Sequence, residues 1–339
     1  MKRTIGSVSL SILLCFVLVF AAAFTAQAKT EWKMAIGDAE GGTQYEMGKK
    51  FVEFLKAKTK DEFSASLFPN SQLGSEQETV QNCRLGTLDL SIVAINNITP
   101  FSPTVGLFTL PYMILSLDEG YKLTQGPIGQ RLVEETIKAA GVRIIAWSYS
   151  GFRVLSNSKK PVKNVADLKG LVVRVPKNAI MIDTYKSWGI NPTPMAWDET
   201  FTALQQKVVD GQDTPYITIF VMKFYEVQKY ITNIRYLFLL EPLIISEALF
   251  QKQSPEVQKA ILEAGKEASA FSKQYLIDKE SEIKKTLAEK GMVINDPADG
   301  EKEFIEKATK QVWPKFYKDI GGKEKIEEAL KSIDRKFPF

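Results

Sequence analysis

From residue 31 onward, apolar positions alternate between two rhythms: a short-range pattern over runs of five to eight residues, and a three-and-four spacing over longer ones. These are the marks of strands and helices respectively. Residues 31–37 and 63–68 predict strands on either side of a helix over 45–58, whose apolar positions are Tyr45, Met47, Phe51, Phe54 and Leu55. The turn at 70–74 leads into a helix from Ser75 to about Leu85. Ser75 with Glu78 has the capping-box spacing, and Gly86 suits the C-cap. A third strand is expected over 88–95. This β-α-β-α-β order predicts an α/β fold with helices covering a mainly parallel sheet.

Further along, 103–111 reads as a buried irregular loop and 118–140 as a helix broken near Gly126-Pro127. Strands follow at 142–148 and 171–175, with a short helix at 165–168 between them. Helices are expected at 180–188 and from Asp198 or Glu199 through Gln206. Two α/β units in series suggest two lobes facing one another across a cleft. The last hundred residues are mostly helical. A stripe through Val257, Ile261, Ala264, Ala268, Phe271 and Tyr275 shifts by one residue into Leu276, Ile283 and Leu287. It predicts one long helix that bends or changes packing face near Asp278. Helices at 303–317, with a kink expected at Pro314, and at 324–331 complete the chain.

The N-terminus departs from these rhythms. Lys2 and Arg3 precede an apolar run over 12–24, and Ala26-Gln27-Ala28 has the small-x-small form of a signal-peptidase site. Residues 1–28 are therefore expected to be a cleaved secretory signal, which would place the mature chain in the periplasm. The alternative, a retained anchor, is disfavoured because the run is shorter than the roughly eighteen residues that span a bilayer. No later segment is expected to be membrane-embedded: 236–245 is apolar but short, and contains Glu241 and Pro242. The formal charge is +4 before loss of Lys2 and Arg3 and +2 after it, which gives no reason to invoke nucleic acid. Loss of Cys15 with the signal leaves Cys83 alone. The absence of histidine removes His-based triads, His–zinc sites and imidazole bases. No Walker, Rossmann or calcium-loop pattern appears, so no cofactor, metal or catalysis is expected.

Arg174 closes a run of strand residues, and ligands collect at strand ends in open α/β sheets. Its fork of donors fits a carboxylate bidentately, or a framework Asp or Glu; the pattern alone leaves both open. Arg153 lies in a similar position between strand-like segments. Trp147, Tyr149, Phe152 and Trp197 offer flat walls, or core. The turn from Asp210 to Pro215 pins a ligand group or merely caps itself. Glu76 and Asn97 sit at element boundaries, facing the cleft or serving as caps.

Seven blocks in order resemble the substrate-binding proteins of TRAP transporters, the tripartite ATP-independent periplasmic systems, in their dicarboxylate-binding, DctP-type branch. They include Phe68-Pro69-Asn70-Ser71-Gln72-Leu73-Gly74, Gly86-Thr87-Leu88-Asp89-Leu90, Gly151-Phe152-Arg153, Arg174-Val175-Pro176, and the stretch from Pro192 through Trp197 to Gln212. The resemblance implies the two-lobed periplasmic solute-binding fold with hinge strands and a long spanning helix. Lobe I would comprise 29–151 with about 240–279, and lobe II 152–239 with the C-terminal helices from about 280 to 339. It implies Arg174 as the main carboxylate contact, Arg153 as its support and Trp197 as a pocket wall. Closure would add contacts from Asp213 or Thr214. The partners implied are a small organic acid, by family default a C4-dicarboxylate, and small and large membrane subunits. A sensing protein of the same fold that reports to a membrane receptor is the alternative. Three departures stand out. Asp213-Thr214 replaces the common Glu-Asn pair, and Lys207 stands where many members have glycine. Arg235 adds a cation that either reaches the cleft and favours a diacid or points outward.

Overall fold

The computed structural model describes residues 29–337, so the predicted signal at 1–28 lies outside the described residues. Strand β1 (Thr30–Ile36) pairs in parallel with β2 (Phe63–Phe68) and β3 (Leu90–Ile92), with α1 (Thr43–Lys58) and α2 (Glu76–Leu85) as the connections. The capping box at Ser75 is formed, and Gly86 takes the left-handed conformation, φ 73°, that ends α2. β3 is shorter than the expected 88–95. The Ala94 N–H donates to the Glu76 carboxylate at 3.1 Å rather than to a strand, and the chain turns through Ile95–Asn97. The expected irregular loop is instead a buried 3₁₀ turn, Pro103–Thr109.

The helical run predicted over 118–140 forms two helices, α3 (Leu117–Gln125) and α4 (Pro127–Ala140), broken at Gly126. The first sheet has the order β2-β1-β3-β10-β4. In it, β10 (Phe238–Ser246) runs antiparallel between β3 and β4 (Val142–Phe152), so the sheet is mixed rather than mainly parallel. The second sheet uses β5 (Val154–Asn157), β6 (Val173–Val175), β7 (Thr193–Pro194), β8 (Gly211–Thr214), β9 (Tyr230–Thr232) and β11 (Val293–Asn295), in the order β11-β9-β5-β8-β6-β7.

The chain passes between the sheets by two strand connections and one helix. Only Arg153 separates β4 from β5, and its N–H donates to Leu237 O (2.9 Å), in the segment that links β9 to β10. The two strand crossings are thus tied together. Gly151, at φ +95°, lies opposite a register irregularity between Leu239 and Leu240. A left-handed backbone of this kind suits glycine and lets the strand bend there.

Of the later helices, α5 is Ala179–Ser187, α6 Thr200–Gln205, α7 Tyr216–Val221 and α8 Glu247–Gln251, and α9 runs unbroken from Pro255 to Glu289. Its packing partner changes where the stripe shifts. Ile261, Ala264 and Ala268 join a core with Trp32, Phe51 and Leu243, whereas Leu276, Ile283 and Leu287 join one that includes Tyr216, Ile217 and Ile231. Its first half also covers β4, the sheet's edge strand. Ser269 Oγ accepts Trp147 N–H (2.8 Å) and Ser272 Oγ accepts Tyr149 N–H (3.0 Å), so the exposed ladder is capped by helix side chains.

Helix α10 (Lys302–Ile320) continues through Pro314 and packs on both α5 and the Pro103–Thr109 turn. The last helix is α11 (Lys323–Ser332). Glu328 pairs with Arg131 of α4 at 2.8 Å, and Arg335 donates to Met113 O (2.7 Å) and Glu119. These bonds tie the C-terminal segment to α3, α4 and the segment before them. Among the described residues, no helix is long and apolar enough to cross a membrane.

Candidate functional site

The two sheets meet at a buried cavity. From the first lobe it receives Asp38, just past β1, Glu76 at the start of α2, Asn96 and Asn97 from the Ile95–Asn97 turn, and Glu241 of β10. From the other side come Arg153, Arg174 of β6, Trp197, Thr214 at the end of β8 and Thr218 of α7. The cavity's volume is about 30 Å³. A neighbouring space of about 40 Å³ shares Glu76, Asn97, Arg174 and Trp197 and is bounded outward by Gln77 and Lys177.

Arg174 is 2% exposed. Its Nε and Nη2 both donate to Met195 O (3.1 and 2.8 Å), while Nη1 is buried with no hydrogen-bond partner among the described residues. The Trp197 ring lies 5.7 Å from the guanidinium carbon. Burial, followed by the like charge of Arg153, pushes the Arg174 pKa down to about 10, so the group stays cationic at neutral pH. A buried cation with an unused donor is suited to an anion.

Arg153 donates from Nη2 to both the backbone oxygen and the Oδ1 of Asp213, the latter at 2.9 Å. Burial disfavours its charge, but Asp213 and then Tyr236 outweigh that and hold its pKa above the ordinary value. Its Nε is buried without a partner among the described residues.

The opposite wall is acidic. Gln44 Nε2 donates to Glu76 Oε1 and to Glu241 Oε1, each at 3.0 Å, and Glu241 Oε2 accepts from Thr43 Oγ1 at 2.9 Å. Glu76 Oε2 also accepts from the Asn97 amide. Asp38 Oδ2 and both amide atoms of Asn96 are buried without partners among the described residues. Burial, then the charges of Glu241 and Glu76, raises the Asp38 pKa well above the usual carboxylate range. Burial raises Glu76 as well. It pushes Glu241 to about 7, assisted by Glu76 and opposed by the bonds from Gln44 and Thr43. Among the described residues, no group of three or more His, Cys, Asp or Glu is arranged to hold a metal ion.

The walls are tied across the cleft by side chains donating to backbone oxygens. Trp197 Nε1 reaches Gly37 O (3.2 Å), Gln77 Nε2 reaches Lys177 O (3.0 Å) and Asn178 Nδ2 reaches Asn96 O (3.0 Å).

The cavity therefore gathers six of the residues singled out from sequence: Arg174, Arg153, Trp197, Thr214, Glu76 and Asn97. Asp213 stands behind Arg153 as its counter-ion instead of lining the space. Asp210 bonds away from its own turn, with Oδ2 accepting from Val172 N–H at 3.0 Å, just before β6. Of the two directions open to Arg235, its side chain takes the outward one. Glu301 accepts from its backbone N–H (2.8 Å) and side chain (3.4 Å), holding it in a separate groove with Tyr216 and Glu280. Sequence reasoning missed Asp38, Gln44, Asn96, Thr218 and Glu241. Two of these left a signal: Asp38 follows the carboxyl end of the first strand, and Glu241 is a carboxylate inside a strand whose nine residues are all buried.

The sequence and the fold both have known relatives. Residues 34–319 match the family described as bacterial extracellular solute-binding protein, family 7, also called DctP. The chain belongs to that family. It is 29% identical to the 2,3-diketo-L-gulonate-binding periplasmic protein YiaO of Escherichia coli over 92% of this chain and 94% of the relative. A TRAP periplasmic solute-binding protein of Polaromonas, solved with D-erythronate, is 30% identical with a TM-score of 0.85, covering 89% of this chain and 98% of the other. Another from Shewanella oneidensis, solved with succinate, is 25% identical with a TM-score of 0.84 over 90% and 99% of the two chains. The solute-binding protein is thus a two-lobed α/β member of a TRAP-type family whose proteins bind small organic acids for transport.

Proposed function

We propose that this solute-binding protein captures a hydroxylated monocarboxylic acid in the periplasm and hands it to a TRAP permease made of a small and a large membrane subunit. The observation that carries this is the buried, unpartnered Nη1 of Arg174 facing a wall of carboxyl and amide groups. A ligand carboxylate accepts from Arg174, with Arg153 held behind it by Asp213. The far end of the ligand meets Asp38, Asn96 and Glu76, groups that pair with hydroxyls. A second carboxylate there would face three carboxyls, which disfavours the C4-dicarboxylate default. Diketogulonate and erythronate, the acids of two relatives, each combine one carboxylate with several further oxygens, whereas succinate does not.

The lobes are taken as 29–151 with about 240–279, and 152–239 with the helices from 280 to about 320. They close about Arg153 and the strand crossings, and a ligand drives closure only by preferring the closed form. The mechanism is binding rather than bond chemistry, and the lack of histidine supports that. A thermal-shift screen of the secreted protein against organic acids tests the proposal. A polyhydroxy monoacid present at 100 times its Kd should stabilise the protein by about 2.7 kcal/mol. A library in which no acid raises the melting temperature would overturn it.

A further inference from the structure

We propose that the acidic wall of the cleft is a proton-binding site and that the organic anion is captured together with a proton. The inference rests on the cleft's binding of an organic acid and adds a second, much smaller ligand to it. Four buried carboxyls, Asp38, Glu76, Asp213 and Glu241, lie around two buried guanidiniums, Arg153 and Arg174. With every group ionised, two negative charges stand uncompensated before any ligand arrives. An incoming carboxylate makes three.

The surrounding elements do not supply the missing charge. Around Glu241, α1 contributes Thr43 and Gln44, β4 contributes Ser148 and Ser150, and α2 contributes another acid, Glu76. Around Asp38 stand Thr218, Glu76, Glu241 and Arg153, whose own charge is matched by Asp213. On the second-lobe side Tyr185 and Tyr236 are neutral at physiological pH, their ionisation pushed up by burial. Lys177 lies outside, at the mouth of the neighbouring space. Gln44 gives one N–H to Glu76 and one to Glu241, which satisfies hydrogen bonds and cancels no charge. The carboxyls are not arranged as metal ligands. Uncompensated charges away from water cost several kcal/mol each, so protonation is the available relief.

The proton belongs to the group of three and not to one assigned oxygen. On Asp38 Oδ2, which has no partner among the described residues, it would turn an acceptor into a donor on a residue that lines the cavity. That donor can reach a ligand hydroxyl or carbonyl oxygen.

The sign of the linkage follows. Burial already holds Glu241 near 7 without ligand, and an added anion raises the wall further. Below about pH 7 the wall carries its proton with or without ligand, and affinity should be flat. Above it the free protein loses the proton and the complex keeps it, so affinity should weaken by up to about tenfold per pH unit.

Calorimetry on the secreted protein, with the acid found by thermal shift, decides the matter. Titrations at pH 6, 7, 8 and 9 in buffers of different ionisation enthalpy should show uptake approaching one proton per ligand near pH 8. Glu241→Gln and Asp38→Asn should each reduce that uptake and flatten the pH dependence. Constant affinity from pH 7 to 9 with no buffer-dependent heat would overturn the proton site while leaving organic-acid binding intact. Absence of binding by any acid at any pH would refute both. If either variant fails to fold, the buffer comparison on the unaltered protein still decides between proton uptake and none.

Discussion

Arg174→Ala is expected to yield a folded protein that binds its organic acid at least about tenfold more weakly, a loss of 1.4 kcal/mol or more. Burial argues for the larger end. Truncating one partner of a desolvated, hydrogen-bonded charge pair typically costs about 2–5 kcal/mol, roughly 30-fold to several thousand-fold. The fold should survive because the guanidinium makes its protein hydrogen bonds to one carbonyl, Met195 O. The like charge of Arg153, which helps depress the Arg174 pKa, is relieved in the variant. Arg174→Lys should recover part of the affinity, since it restores the charge but not the fork that reaches Met195 O and the cavity together. Calorimetry reads the loss and circular dichroism reads the fold. Unchanged affinity in the alanine variant would remove Arg174 from the site.

Gly265→Ala should be among the most damaging single-methyl additions to the scaffold. A β-carbon there would lie 1.9 Å from Ile145 O, a backbone atom of the edge strand that α9 covers. Neither partner yields easily. The strand is fixed by its pairing with β10, and the helix by Ser269 and Ser272 holding the Trp147 and Tyr149 N–H groups. The cost should therefore meet or exceed the roughly 1–3 kcal/mol of ordinary overpacking, even though alanine is the better helix former by about 1 kcal/mol. The readout is the midpoint of chemical denaturation, and Gly291→Ala, with nothing within 4 Å of its added carbon, is the comparison that carries only backbone strain. A Gly265→Ala protein as stable as the parent would mean that helix and strand do not approach as described.

How much was legible depends on how local each cause is. The capping box at Ser75 and Glu78 is written within four residues, and the one-residue slip of the α9 stripe announces its change of partner. What α9 does to β4 was not legible, because Gly265, Ser269 and Ser272 break the apolar rhythm and act through strand backbone. The insertion of β10 between β3 and β4 and the docking of α11 on α4 depend on residues far apart in sequence. So does Arg235, whose direction is set by Glu301, 66 residues away. The arginine side of the cavity was legible because a guanidinium in a β-strand demands a reason. Its acidic side was legible only in Glu76 and Asn97: Asp38 is marked by no more than its place after the first strand, and Glu241 by no more than a charge that interrupts an apolar run. Their shared role exists only once Gln44 brings Glu241 and Glu76 together.

On the proposed reading, a small organic acid sits between the lobes with its carboxylate on Arg174. A crystal structure of the protein with the acid found by thermal shift is the test. A carboxylate oxygen is expected within about 3 Å of Arg174 Nη1, with hydroxyl or carbonyl oxygens turned toward Asp38, Asn96 and Glu76. An acid bound elsewhere, or one in the cleft with its carboxylate against the Glu76–Glu241 wall and Arg174 Nη1 still unpartnered, would contradict the claim.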